Sequence, residues 1–524
     1  MPFSPTPEQS AIIDHIRDFP DQSLMVMAYA GCAKTSTIEM AAKGIDPRLS
    51  TVALAFNKKI AEELKERLPS HIDCLTMNAL GHRAWATARG KRLQLDADKM
   101  YKLTKELLAG EALSPNDETF TVVLALAKRA KSAGLVPQGS PMRVTGLVPD
   151  DEESWAEIGF QLGLDVTASD ITWARQVLVA SIKAAFTTSI DFDDQIYMSV
   201  LFGGQFPQYH TSIADETQDL SPLNHRMLRK VTKVRSIAVG DPRQAIYAFR
   251  GADSNSMASL RDHFIYNTLD LTGTFRVSRQ VVARQLSHAP GFHAMPNCKE
   301  GQVLRWPVAG KLDDPSKPNG DHAWSITDIP SEHSAVLCRN NAPLMKLAYT
   351  LIRARRPVKI LGRDIGAALA NQLWKIGGKK NLPVEAVYPL IETWSAKEVA
   401  KIGDSVSKLD THYDRKECFL VLLDASGAND LAGAVESIKA LFADEKGRTG
   451  LVLSSGHRAK GLEWNWVMHL DPFRCPSKQA QKAMERGNPG PMQQELNLKY
   501  VIETRTKDVL VLANLDDCAE VGGE

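Results

Sequence analysis

The feature that most constrains the fold of this chain is the stretch AYAGCAKTST, Ala28 to Thr37. It nearly matches the phosphate-binding pattern G-x-x-x-x-G-K-[ST], with Lys34 and Thr35 in place and alanines, Ala28 and Ala33, at both glycine positions. The apolar run LMVMA ahead of the loop predicts a buried parallel strand, and STIEMAAKG after it predicts a helix. The sequence therefore predicts an α/β fold in which this loop joins a strand to a helix.

Such a loop is typical of a nucleoside triphosphate site. Backbone N–H groups at the helix start would hold phosphate oxygens, Lys34 would reach the β- and γ-phosphates, and the Thr35 hydroxyl would hold Mg²⁺. The predicted ATP-binding residues are Ala30, Gly31, Cys32, Ala33, Lys34, Thr35 and Ser36.

The alanine at position 33 leaves two alternatives open. A left-handed backbone at Ala33 would cost about 1–2 kcal/mol, whereas a right-handed backbone would cost little. Both are compatible with ATP binding, while loss of Lys34 would not be.

A second block, TSIADETQDLS, carries the acidic residues that phosphoryl chemistry needs. Asp215 is predicted to hold the metal ion and Glu216 to orient the attacking water. An acidic turn on a solvated surface is the alternative for this block by itself. The strand before it, in a chain that already has a phosphate loop, favours the catalytic interpretation.

A third block runs from Ser236 to Asp253, SIAVGDPRQAIYAFRGAD. Its apolar start predicts a strand ending at Gly240, after which Gln244 could sense the γ-phosphate. The residues predicted to stack on exposed bases are Tyr247, Phe249 and Arg250. Two aromatics two residues apart are alternatively the packed face of a strand.

Composition excludes several classes of protein. The seven cysteines show no C-x-x-C spacing, which argues against structural zinc, an iron–sulfur cluster or a disulfide framework. The N-terminus lacks a signal-peptide pattern, and no apolar run approaches the ~20 residues that span a bilayer. The net charge of +1 gives no global basic character, although a local basic groove would not change it. We expect a soluble intracellular protein without a membrane partner. Its expected location is the cytoplasm, with association to the nucleoid in a bacterium or phage, and a nuclear location is also open.

With these blocks in order, the chain resembles the UvrD/Rep-type superfamily 1A DNA helicases, close to the F-box branch. Further stretches carry the resemblance: PTPEQSAII, LAFNKKIAEELKERL, CLTMNALGHRAW, DFDDQIY, LTGTFRVSRQVV, SSGHRAKGLEW and LKYVIETRTKDVLVL. It implies two RecA-like parallel-sheet P-loop domains, each with a mainly helical insertion.

The resemblance also assigns roles to single residues. It places Gln9 on the adenine edge, Phe275 against the adenine, Arg276 and Arg505 as arginine fingers, and Glu463 on the ribose. Toward DNA it places Phe56, Lys59 and His457, with Lys460 toward DNA and the domain interface. One departure is Asn78, which stands where the family usually has histidine.

The expected domains follow from the motif positions. They are 1–75 with 186–270 (domain 1A), 76–185 (helical insertion 1B), 271–365 with 446–524 (domain 2A) and 366–445 (small insertion 2B). Between the last two motifs, residues 475–494 (CPSKQAQKAMERGNPGPMQQ) are predicted to form a loop.

The predicted function is ATP-dependent translocation on single-stranded DNA, 3′ to 5′ by resemblance, with unwinding of duplex DNA in replication, repair or recombination. The predicted partners are single-stranded and duplex DNA and replication or repair proteins. Two alternatives remain: a translocase that clears proteins without unwinding, and a nucleotide-gated DNA-binding protein with weak ATPase activity.

Overall fold

The computed structural model describes residues 4–55, 57–110, 118–162, 166–246, 255–306, 329–354, 356–361, 363–402, 406–441 and 450–519. The chain divides into two compact units, unit 1 (Met1–Leu271) and unit 2 (Thr272–Glu524). No helix within the described ranges is both long and apolar enough to cross a membrane.

Unit 1 consists of strands and helices that alternate along the chain except for one run of four helices. Its strands are β1 (Ser23–Ala28), β2 (Thr51–Ala55), β3 (Ile72–Thr76), β4 (Gln94–Leu95), β5 (Ser189–Ile190), β6 (Tyr209–Ala214), β7 (Thr232–Gly240) and β8 (Tyr266–Leu271). Its helices are α1 (Pro7–Asp18), α2 (Lys34–Ala42), α3 (Lys58–Arg67), α4 (Met77–Arg89), α5 (Lys99–Ala109), α6 (Glu118–Ala133), α7 (Glu152–Leu162), α8 (Ala168–Thr187), α9 (Asp194–Leu201), α10 (Pro222–Val231) and α11 (Ser256–Ser259).

The main sheet of unit 1 has six parallel strands in the order β3-β2-β6-β7-β1-β8. Val26 of β1 lies opposite Val239 of β7 and Leu269 of β8. Strands β1, β2 and β7 are mostly buried and apolar, as expected for a parallel sheet covered on both faces. Strands β6, β7 and β1 are neighbours, so the segments that follow them emerge side by side at the carboxyl edge of the sheet.

Helices α4 to α9 lie between β3 and β6 in sequence and share one hydrophobic core with the sheet. This core includes Met25 and Leu54 of the sheet together with Trp85, Trp155 and Leu178 of the helices. The predicted helical character of residues 76–185 agrees with this arrangement, while the precise domain limits stay a prediction.

A buried cluster of charges fixes two of these helices to the start of α9. Lys131 of α6 lies 2.6 Å from Asp191 and 2.5 Å from Asp194, and Lys99 of α5 lies 2.5 Å from Asp194. All four side chains are at most 8% exposed. Two positive and two negative charges thus compensate one another, as groups in so dry an environment must.

Unit 2 repeats the alternation. Its strands are β9 (Gly273–Thr274), β10 (His293–Ala294), β11 (Gln302–Arg305), β12 (Ser334–Cys338), β13 (Val358–Ile360), β14 (Leu451–Ser455), β15 (Trp464–Leu470) and β16 (Thr506–Ala513). Its helices are α12 (Arg279–Gln285), α13 (Asn341–Arg353), α14 (Arg363–Ile376), α15 (Val384–Ile402), α16 (Val406–Ser426), α17 (Leu431–Leu441), α18 (Gly456–Ala459), α19 (Lys478–Glu485), α20 (Gly490–Glu503) and α21 (Leu515–Ala519).

The main sheet of unit 2 is also parallel, with the order β11-β16-β15-β12-β14-β13. Helices α14 to α17 lie between β13 and β14 in sequence. Phe419 and Ile438 of these helices share a core with Val336 and Met468 of the sheet. Two RecA-like parallel sheets, each with a mainly helical insertion, confirm the predicted fold class.

The prediction of a loop over residues 475–494 is wrong. Helix α19 occupies its middle, and α20 begins within its last residues. The Ser477 hydroxyl accepts a hydrogen bond from the Ala480 N–H at 3.1 Å and so caps α19, whose residues favour helix. Pro491 lies in the first turn of α20, where proline is tolerated because the missing N–H has no partner there.

Candidate functional site

The phosphate loop leaves β1 at Ala28 and ends where α2 begins at Lys34. Gly31 has φ 73°, and Ala33 is left-handed with φ 56° and ψ 39°. The left-handed alternative therefore holds at Ala33, where alanine carries strain that glycine would avoid. No side chain caps the N-terminus of α2, so its first N–H groups remain available to an anion.

Lys34 points to the acidic block. Its Nζ lies 3.0 Å from Oε2 of Glu216, and the two side chains are 14% and 27% exposed. Burial alone lowers the pKa of Lys34, but the charges of Glu216, Asp215 and Asp241 outweigh it and raise the pKa above its ordinary value. Lys34 is therefore a fixed positive charge among carboxylates.

Asp215 and Glu216 directly follow β6 and form a tight turn. Glu216 has φ 52°, and its N–H donates to Oδ1 of Asp215 at 2.8 Å. Burial and the neighbouring charge of Glu216 raise the pKa of Asp215 to about 6. A carboxyl group in this state gives up its proton readily when a cation arrives.

The turn after β7 belongs to the third sequence block and adds Asp241 and Gln244 to the site. Asp241 is fully buried and accepts from Nε2 of Gln244 at 2.7 Å. Its N–H donates to Oε1 of Gln218 at 3.1 Å, and Nε2 of Gln218 donates to Oε2 of Glu216 at 2.5 Å. At Gly240 an added Cβ would lie 2.5 Å from Oε1 of Gln218, so only glycine permits this close approach.

The donor set of this region fits a magnesium-bound triphosphate. Lys34 lies among three carboxylates, those of Asp215, Glu216 and Asp241. Arg243 also lies 3.9 Å from Asp241, so three carboxylates face two cations, which leaves negative charge for a metal ion. Mg²⁺ prefers oxygen ligands and is usually bound by one or two carboxylates together with substrate phosphates. The half-buried Thr35 adds a hydroxyl at the start of α2.

Two other predicted nucleotide contacts, Ser36 and Gln9, make hydrogen bonds within unit 1. Oγ of Ser36 accepts from Nη2 of Arg67 at 3.0 Å. The predicted adenine contact, Gln9, is fully buried: its side chain accepts from the Thr6 N–H and donates to Oγ1 of Thr37, both at 3.0 Å. Gln9 thus connects α1 to the helix that follows the phosphate loop.

In unit 2, Arg276 and Glu463 come together. Nη1 of Arg276 lies 3.3 Å from Oε2 of Glu463, and Nζ of Lys507 lies 2.5 Å from the other carboxylate oxygen. Burial raises the pKa of Glu463, but the hydrogen bond from Lys507 and the charge of Arg276 lower it overall. Lys507 was not singled out from the sequence, although it belongs to the stretch LKYVIETRTKDVLVL that contains Arg505.

The remaining unit 2 residues lie at strand and helix ends. Arg505 is 2% exposed, and its Nε donates to the Val501 carbonyl at 2.9 Å. Phe275 is half-buried just after β9. His457 is half-buried in α18, directly after β14.

Four predicted DNA contacts lie outside the described residues, namely Phe56, Tyr247, Phe249 and Arg250. Lys59 is exposed in the first turn of α3.

One aromatic that the sequence argument did not assign to DNA is Phe192, which is 55% exposed. Nδ2 of Asn78 donates to the Phe192 carbonyl at 2.9 Å and to Oε1 of Gln195 at 3.0 Å. The departure at Asn78 therefore has a structural role, because its amide holds the DFDDQIY segment. The stretch DFDDQIY already shows an aromatic residue beside acidic ones, but the exposure of the Phe192 side chain could not be predicted from the sequence.

Fold and site together define a P-loop nucleotide-binding protein built from two RecA-like units. A family model described as an AAA domain matches residues 9–250, which contain the loop, the acidic block and the turn after β7.

The chain is also similar to curated helicases. It is 24% identical to F-box DNA helicase protein 1 of Schizosaccharomyces pombe, over 97% of this chain and 57% of the relative. It is 23% identical to F-box DNA helicase 1 of Gallus gallus, over 99% of this chain and 50% of the relative. ATP-dependent DNA helicase PcrA of Leuconostoc citreum is 22% identical, over 65% of this chain and 48% of that protein.

These matches confirm the resemblance to the UvrD/Rep-type superfamily 1 helicases. The chain spans about half the length of the curated relatives that it matches.

Proposed function

We propose that this chain is a DNA-dependent ATPase that translocates on single-stranded DNA from 3′ to 5′ and unwinds duplex DNA, in replication, repair or recombination. The observation that carries the proposal is the ion pair between Lys34 and Glu216, with Asp215 beside it. It joins a phosphate loop to a metal-binding and water-orienting pair at one edge of a parallel sheet. The helicase names of the relatives support DNA as the partner.

Five residues of unit 1 have a role in this chemistry. Lys34 neutralises the β- and γ-phosphates, Asp215 and Thr35 hold Mg²⁺, and Glu216 orients the attacking water. Because the phosphates compete with Glu216 for Lys34, ATP binding would release the Glu216 carboxylate for the water. Gln244 senses the γ-phosphate from the turn after β7.

We assign the remaining nucleotide contacts by the same proposal. Gln9 and Phe275 contact the adenine, Glu463 contacts the ribose, and Arg276 and Arg505 stabilise charge that develops on the γ-phosphate. An arginine in that role is worth about 10³–10⁵ in rate.

On the DNA side, the proposed contacts combine cations with aromatic faces: Phe56, Lys59, Tyr247, Phe249, Arg250 and His457. The exposed ring of Phe192 is a further stacking surface. Stacking contributes about 1–3 kcal/mol per base and tolerates any sequence, which suits a protein that moves along a strand.

Steady-state ATP hydrolysis with and without single-stranded DNA tests the proposal. We expect DNA to stimulate turnover, Lys34→Ala and Glu216→Gln to abolish it, and Glu216→Gln to retain nucleotide binding. Turnover that does not respond to DNA would contradict coupled translocation.

Duplexes with a 3′ or a 5′ single-stranded tail test unwinding and polarity. We expect strand displacement only from the 3′-tailed duplex. Clearance of a bound protein without displacement of either duplex would favour the protein-clearing translocase instead.

The left-handed alanine in the phosphate loop favours a second candidate, a nucleotide-gated DNA-binding protein with weak ATPase activity. Phosphate release separates the two, since the second candidate predicts ATP-dependent DNA binding with little release. A rise in turnover in Ala33→Gly would identify the strained loop as the cause of weak hydrolysis.

A further inference from the structure

Tyr29 and Arg243 form a contact that none of the proposed roles uses. The guanidinium carbon of Arg243 lies 4.1 Å from the centre of the Tyr29 ring, and Nη2 donates to the tyrosine hydroxyl at 3.1 Å. Tyr29 is 6% exposed and the Arg243 side chain 26% exposed. A cation over an aromatic face gains from the negative charge of that face, especially where water is largely excluded.

The two residues belong to different segments of the proposed nucleotide site: Tyr29 to the phosphate loop and Arg243 to the turn after β7. The Tyr29 N–H donates to the Leu271 carbonyl at the end of β8. The Tyr29 carbonyl accepts from the Cys32 N–H within the phosphate loop. The Arg243 N–H donates to Oδ1 of Asp241, the buried carboxylate that also accepts from Gln244. The pair therefore connects the first residue of the loop to the turn that carries Gln244.

This contact closes a ring of interactions around the site. From Lys34 the ring passes to Glu216, then to Gln218 and then to Asp241. Arg243 and Tyr29 complete it by returning to the loop that ends at Lys34. A bound triphosphate and metal ion would disturb the carboxylates and amides of this ring, whereas the contact between the Arg243 guanidinium and the Tyr29 ring and hydroxyl involves neither kind of group.

We propose that Arg243 and Tyr29 are a positioning pair that holds the phosphate loop and the Gln244 turn in a fixed relation for hydrolysis. The inference rests on the proposed ATPase function and deepens it. Neither residue is assigned a contact with the substrate. Their removal therefore affects the chemical step more than nucleotide affinity.

The kinetic test compares Arg243→Ala, Arg243→Lys, Tyr29→Leu and the double variant Arg243→Ala/Tyr29→Leu in the full chain. We expect Arg243→Ala to lower DNA-stimulated kcat about tenfold while the KM for ATP changes less than about threefold. The double variant should be no slower than the worse single variant, because both remove one interaction. Lysine keeps the cation but not the planar stack, so Arg243→Lys should recover part of kcat.

A matched control is Arg229→Ala, which removes another arginine, 5.6 Å from the ring of Phe264 in the same unit. It should leave kcat and KM unchanged. If the losses from Arg243→Ala and Tyr29→Leu multiply in the double variant, or if KM rises as much as kcat falls, the positioning role is wrong and Arg243 contacts the nucleotide directly.

Hydrogen exchange of the nucleotide-free protein tests the pair without any turnover. Arg243→Ala should accelerate exchange of backbone amides in residues 29–36, and Arg229→Ala should not. Unchanged exchange in this loop overturns the inference even where Arg243→Ala slows hydrolysis. Conversely, a wild-type protein that releases no phosphate contradicts the proposed function while the exchange result still judges the pair.

Discussion

Ala33 shows how one side chain can strain a loop that keeps the lysine and threonine of a phosphate-binding pattern. The backbone there has φ 56°, a conformation that costs alanine about 1–2 kcal/mol and glycine nothing. The other alanine in a glycine position, Ala28, ends strand β1 with an ordinary extended backbone. Identical substitutions in one loop thus have opposite expected effects.

We predict that Ala33→Gly raises the free energy of unfolding by about 0.5–1 kcal/mol, since relief of strain exceeds the entropy that glycine adds to the unfolded chain. Ala28→Gly should lower it by about the same amount, because glycine adds entropy to the unfolded chain and relieves no strain at this extended position. Urea midpoints of the nucleotide-free proteins measure both changes. A midpoint lowered by both glycines would mean that Ala33 is not strained.

Asp215 gives the site a pH dependence. Its pKa is raised to about 6, so it is largely protonated below that pH in the nucleotide-free protein. A metal ion must displace this proton, so we predict that Mg²⁺-dependent nucleotide affinity falls about tenfold per pH unit below about pH 6 and levels off above about pH 7.

Titration of a fluorescent nucleotide across this range measures the affinity. The Asp215→Asn variant, titrated in parallel, cancels protonation of the nucleotide itself and should lack the Mg²⁺-dependent fall. The raised pKa also means that the contribution of Asp215 to stability is present below the unfolded-state pKa of 3.8 and is lost as the pH rises through 6. An affinity that stays constant down to about pH 5 would show that Asp215 does not hold the metal.

At the scale of elements, the insertion of unit 1 depends on a few charges as well as on its core. Helices α5 and α6 each contribute one buried lysine to Asp191 and Asp194 at the start of α9. The next motif along the chain is the acidic block after β6. The cluster therefore fixes the helices to the segment that leads into β6, the strand before the acidic block.

We predict that Lys131→Met lowers the free energy of unfolding by about 3–5 kcal/mol, because it leaves buried carboxylates short of one compensating charge. The control is Lys102→Met, whose partner Asp96 is 2.8 Å away but whose own side chain is 62% exposed. That change should lower the urea midpoint far less, because water screens an exposed ion pair. Equal urea midpoints for the two variants would refute the importance of the buried cluster.

Local motifs made much of the site predictable, and long-range contacts explain what was not. The strand, loop and helix around Lys34 follow from residues adjacent in sequence, as do the strands before Asp215 and Gln244. The Tyr29–Arg243 pair joins residues 214 positions apart, and side-chain packing determines it. The helix within 475–494 was missed because its prolines and glycines, which suggest a loop, lie at the helix ends.

At the scale of the whole molecule, the two units share one architecture but differ in the site residues that they carry. Both have a six-stranded parallel sheet with an inserted set of helices, but the phosphate loop and the acidic block belong to unit 1. Unit 2 carries Arg276 held by Glu463, with Lys507 on the same carboxylate. In the proposed function, the guanidinium of Arg276 stabilises charge that develops on the γ-phosphate.

We predict that Arg276→Ala in the full chain lowers DNA-stimulated kcat by about 10³ while the Kd for a non-hydrolysable ATP analogue changes less than about tenfold. The neighbouring Arg279→Ala is the control, since that side chain is 45% exposed and pairs with Glu300 on the surface. Stopped-flow phosphate release and equilibrium binding separate rate from affinity.

Because Arg276 shares Glu463 with Lys507, Lys507→Ala should have a smaller effect than Arg276→Ala if the guanidinium itself meets the developing charge. Equal losses from the two variants would instead indicate that the three-residue cluster serves only the structure of unit 2.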